Sequence, residues 1–125
     1  MIWTLIQVAL GGAIGASGRY LTGVASLRAF GPGFPWATMI VNVVGSILMG
    51  VLVVVLAHKS GTRIAPFLMT GVLGGFTTFS AFSLDALTLY ERGEVGLAAA
   101  YIAGTLVLTL GGIALGVVVA RGILA

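Results

Sequence analysis

Three short polar interruptions limit most strongly how this chain can fold. They fall at residues 28–35, which include the run Gly31-Pro32-Gly33-Phe34-Pro35, at 58–66 and at 91–94. Each combines charge with Gly or Pro, the residues that end helices and make turns. Between them lie four apolar segments, roughly 2–26, 36–57, 65–90 and 95–119. About 20 apolar residues in a helix cross the hydrocarbon core of a bilayer, so each segment is long enough to span. Composition agrees: of 125 residues 59% are apolar and 7% charged, too few polar side chains to coat a soluble domain. The expected fold is an all-α integral membrane protein, a single four-helix domain over residues 1–125 with lipid as its solvent.

The stretch 1–20 lacks the basic start of a signal peptide and runs into further apolar sequence, so it reads as the first span. Trp3, Tyr20, Trp36 and Tyr90 fall near segment ends, where amphipathic rings favour the headgroup layer. With no cysteine, disulfides, thiolate metal sites and cysteine nucleophiles are excluded. A net charge of +3 does not point to nucleic acid, because the Lys and Arg residues are scattered singly as membrane flanks. Four spans put Lys59, Arg63 and Arg121 on one side and Arg19, Arg28 and Arg92 on the other. Basic asymmetry sets orientation, and an even division leaves both orientations open. A chain inserted both ways can form an antiparallel homodimer.

Glycine pairs four apart, Gly11 and Gly15, Gly71 and Gly75, Gly112 and Gly116, have the spacing that brings helix backbones close in lipid. Packing within one bundle accounts for most of them.

Polar residues recur where lipid penalises them. Thr38, Asn42 and Ser46 share one face of the second span, and Tyr101, Thr105 and Thr109 share one face of the fourth. An amide inside a span has to face protein or water; these stripes serve either a passing solute or helix–helix hydrogen bonds. In the third span Gly74-Gly75-Phe76-Thr77-Thr78-Phe79-Ser80-Ala81-Phe82-Ser83 places β-branched hydroxyl residues behind two glycines, which predicts a local helix break. Carbonyls freed by such a break need protein or a cation as partner. Phe79 and Phe82 share a face beside Ser80 and Ser83, and an aromatic edge carries the positive part of the ring quadrupole, suited to an anion. No nucleotide-binding Gly-Lys-Ser/Thr loop is present. Asp85 is the only acid inside a span and lies toward the end of the third, and one histidine with three acids assembles no hydrolytic or metal centre. An enzyme is not expected.

These residues resemble the Fluc fluoride channels, also called CrcB proteins, over essentially the whole chain. Gly11-Gly12-Ala13-Ile14-Gly15-Ala16-Ser17-Gly18-Arg19-Tyr20 is similar to that family's opening motif; Pro35, Thr38, Val41, Asn42 and Gly45 have its spacing, and the third-span run nearly matches its signature. The resemblance implies an antiparallel dual-topology homodimer with two pores, exporting fluoride passively through the inner membrane of a prokaryotic cell. It implies a fluoride path formed by Asn42, Phe79, Phe82, Ser80, Ser83, Thr38, Tyr101, Thr105 and Thr109, with Arg19 at a pore entrance. It also implies a structural, untransported Na+ at the dimer centre, held by backbone carbonyls of Gly74 and Thr77. Ala81, Ala37, Met39 and Asp85 depart from the family pattern, and Thr105 and Thr109 stand where serine is frequent. A small multidrug exporter, a second class with four spans and dual topology, needs an acid in the first span, which has none. A third class, a non-transporting assembly subunit, would use the stripes only for packing.

Overall fold

The computed structural model describes residues 1–59 and 63–125, so 60–62 of the expected second loop lie outside the described residues. The described secondary structure is wholly helical. Helix α1 covers Ile2–Phe30 and α2 covers Trp36–His58; α3 covers Pro66–Leu73 and continues as Gly74–Phe76; α4 covers Phe79–Glu91 and α5 covers Val95–Leu124. Together α3 and α4 form one interrupted crossing.

By length and composition, Trp36–His58, Pro66–Glu91 and Val95–Leu124 are apolar enough to cross a membrane. Helix α1 has the length, but its glycines, Gln7 and Arg19 dilute its apolarity. One contact and one shared pocket fit successive long helices that alternate in direction. Arg92 donates to the Gly33 carbonyl at 2.9 Å, joining the first and third loops at one end. At the other end Trp3, Thr4 and Gln7 share a pocket with Arg63 and Pro66.

Two helices outrun the spans expected from sequence. Helix α1 continues past residue 26 until Gly31, whose φ of 78° ends it while its N–H bonds the Leu27 carbonyl; glycine adopts that left-handed conformation without penalty. Helix α5 continues past 119 to Leu124 with Arg121 in its last turn, where a cation suits the helix dipole. The turns over Pro66–Leu73 are wide, π-type turns, a detail that sequence periodicity did not indicate.

Helix α1 lies along α3, and α2 along α5. Glycine sets both approaches. A Cβ on Gly11 or Gly15 would collide with the α3 backbone at Phe67 or Val72, and one on Gly75 would come within 2.7 Å of the Gly12 carbonyl. Gly50 and Gly116 bear the same relation to the α5 and α2 backbones. The small-residue pairs therefore pack helices within one protomer. The buried core is thin, chiefly Val41, Leu73, Phe82, Leu89 and Tyr101, while Ile14, Leu21, Val107 and Leu110 point outward, the inverse of a water-soluble bundle.

Candidate pore site at the helix break

The expected break is present, but not at the glycines. Gly74 keeps helical angles (φ −62°, ψ −37°), and the chain leaves the helix at Thr77 (φ −88°, ψ 157°) and Thr78 (φ −154°, ψ 126°). The extended pair falls on the β-branched residues, whose side chains favour that conformation; Gly75 is small because α1 lies against it.

Side chains from three directions take over the backbone groups the break frees. Asn42 on α2 makes two bonds to one residue: its Nδ2 donates to the Thr78 carbonyl at 2.9 Å, and the Thr78 N–H donates to its Oδ1 at 2.8 Å. Thr78 caps α4, accepting the Ala81 N–H on Oγ1 at 3.2 Å, and its hydroxyl also pairs with that of Ser80. From α1, Arg19 Nε donates to the Gly75 carbonyl at 3.1 Å. Thr77 closes the end of α3, donating through N–H and Oγ1 to the Leu73 carbonyl.

In an unbroken helix Gly74 and Thr77 would accept from Thr78 and Ala81. Those N–H groups go instead to Asn42 and to the Thr78 hydroxyl, so the two carbonyls lose their helical donors.

Beside the break is a cleft of about 220 Å³ lined by Asn42, Ser46, Thr77, Thr78, Phe79, Phe82, Thr105, Leu106 and Thr109. Three separate crossings thus bring together Asn42, Phe79, Phe82, Thr105 and Thr109. Phe79 is 75% exposed and Phe82 only 7%; their centroids are 5.5 Å apart with planes at 66°, edge toward face. Thr38, Ser80, Ser83, Tyr101, Gly74 and Arg19 are not among the lining residues. Tyr101 is fully buried, stacks near Phe82 and Phe34, and donates its hydroxyl to Asp85 at 3.2 Å. Ser46, Thr78 and Leu106 also line the cleft; the four-residue stripe indicated Ser46, whereas the part Thr78 plays emerges only from the fold.

The hydroxyls differ in what they can still donate. Thr109 gives its proton to the Thr105 carbonyl at 2.7 Å, and Ser83 gives its proton to the Phe79 carbonyl at 3.0 Å, the back-bonding common for such residues inside helices. Thr105 Oγ1 is buried and, among the described residues, has no partner. An amide NH2 has two protons, and Asn42 commits one to Thr78. Among the described residues the lining therefore holds no charged side chain; an amide proton and ring edges remain as donors, and one lining residue, Thr105, carries a buried hydroxyl without a partner.

These features define a helical, multi-pass membrane protein with an uncharged polar cleft at a broken crossing. A family described as "CrcB-like protein, Camphor Resistance (CrcB)" matches residues 6–117, and the chain belongs to that family. It is 71% identical over 122 residues to a "Fluoride-specific ion channel FluC" of Cereibacter sphaeroides (strain ATCC 17029 / ATH 2.4.9), covering 98% of each chain. It is 60% identical over 125 residues to a protein so named from Ruegeria sp. (strain TM1040), covering 99% of each. To that of Paracoccus denitrificans (strain Pd 1222) it is 51% identical over 122 residues, covering 98% of each.

Proposed function

We propose that this chain is a fluoride-selective channel, not an enzyme, that lets fluoride leave the cytoplasm down its gradient across the cell's inner membrane and so limits its toxicity. The observation that carries the reading is that Asn42, with one amide proton uncommitted, and Thr105, whose buried hydroxyl has no partner among the described residues, line the same cleft. Fluoride is a small, strongly hydrated acceptor, and a pore has to replace its water with donors. A donor left without a protein partner is available to an acceptor that passes through the cleft. The edges of Phe79 and Phe82 add weak positive potential without the full charge that would trap the ion. The names of the relatives support the choice of ion.

The working form in this reading is an antiparallel dual-topology homodimer with two pores. The high outward exposure of Phe79 supports a second chain closing the open side of the cleft. A structural Na+ belongs at the dimer centre, held by the Gly74 and Thr77 carbonyls. The donor chemistry fits, since both are backbone oxygens deprived of helical donors and a hard cation takes oxygen ligands. Two oxygens are too few for such an ion, which supports a contribution from each chain. Bound there, the ion supplies fixed charge that holds the two breaks together; Asn42 and Thr78 shape the path, and Arg19 stands near its entrance.

Expression in a bacterium lacking its own fluoride export tests the reading. Rescue of growth on fluoride medium by the native chain, and not by Thr105→Val expressed to the same level, is expected. No rescue by the native chain, with the protein present in the membrane, would overturn it.

A further inference from the structure

Gly11, Gly15 and Arg19 are spaced four apart on α1 and so share one helix face. The two glycines bring the α1 backbone against α3, and the next residue on that face is delivered to the break. There Arg19, half-buried, gives Nε to the Gly75 carbonyl at 3.1 Å, while among the described residues its terminal nitrogens have no hydrogen-bond partner. Gly75 sits between Gly74 and Thr77, the residues whose carbonyls lost their helical donors.

We propose that Arg19 is a positioning residue for the cation site at the break, an inference that rests on Gly74 and Thr77 holding that cation. By occupying the Gly75 carbonyl, Arg19 withdraws one oxygen from the set a cation could use and leaves its neighbours as ligands. Its guanidinium also holds a fixed positive charge close to the site. Like charges weaken each other's binding in a medium of reduced dielectric, so this charge lowers cation affinity and, with the restricted ligand set, sharpens the preference for a small ion. The packing of α1 against α3 thereby sets the occupancy of a site to which α1 contributes no ligand.

Full-length protein tests this twice, by calorimetric titration of the purified protein with Na+, which should bind more tightly in Arg19→Gln, and in liposomes, with fluoride efflux recorded against Na+ concentration, then K+, at ionic strength held by N-methylglucamine chloride. Arg19→Gln removes the charge and is expected to lower the Na+ concentration for half-maximal efflux by about threefold or more and to narrow the Na+ over K+ preference. Arg19→Lys keeps a charge but lacks the guanidinium fork, and shifts it less, in the same direction; it decides the matter alone if Arg19→Gln does not fold. Phe79→Ile lowers efflux without moving the Na+ dependence. Reduced efflux with wild-type Na+ dependence in the Arg19 variants overturns the proposal and places Arg19 on the anion path alone. No cation dependence in the native protein overturns the Gly74 and Thr77 reading and this proposal with it, an outcome visible before any substitution.

Discussion

Asn42→Ala removes the clamp on the break and leaves both polar groups of Thr78 without a partner. The native bonds are 2.9 and 2.8 Å long and part-buried. Stranding a fully dry backbone group costs about 1–3 kcal/mol, which sets an upper bound of about 6 kcal/mol for the pair. Hydrogen bonds measured inside membrane proteins are weaker, averaging about 0.6 kcal/mol, and the adjoining cleft is large enough to admit water to Thr78. A net loss of about 2 kcal/mol follows from weighing these. Equilibrium unfolding in mixed micelles with increasing SDS, followed by circular dichroism, measures it. Ser46→Ala is the control, because Ser46 lines the same cleft and makes no bond to the break; it should change stability by less than about 0.5 kcal/mol. Equal stability of the two variants would refute the clamp.

Other expectations follow from the same geometry. Gly15→Ala drives a methyl into the Val72 carbonyl and should cost about 1–3 kcal/mol by the same unfolding assay, whereas Gly12→Ala, with open space around it, should be near neutral. Thr105→Val removes a buried hydroxyl that has no partner among the described residues and should leave stability unchanged or higher while cutting fluoride efflux by about tenfold or more, the equivalent of ~1.4 kcal/mol. Phe79→Ile and Phe82→Ile should both cut efflux, but only Phe82, buried against Tyr101, should destabilise the fold, by about 1–2 kcal/mol.

What could be read from sequence divides along physical lines. Spans are set by apolar length and turn residues, both local properties, so four helices and their alternation were legible. The break was legible because Thr77 and Thr78 disfavour helix behind two glycines, although the glycines proved to serve the α1 contact. Shared faces also carried over: Asn42, Thr105 and Thr109 came to one cleft from four-residue spacing. Spacing does not reveal which hydroxyls are already committed. Thr109 and Ser83 bond back to their own helices, Tyr101 is turned to Asp85, and Thr105 stays unpaired among the described residues; those outcomes depend on long-range packing. The Arg19 contact joins positions 56 residues apart and has no local signature.

Fluoride efflux from liposomes holding the purified, folded protein tests the central claim most directly, read with a fluoride electrode against parallel vesicles loaded with chloride. Rapid electrogenic fluoride release with chloride release at least about tenfold slower, and loss of the fluoride signal in Thr105→Val, is the expected result. Equal release of both ions, or no release of either, would contradict an uncharged donor cleft built for fluoride.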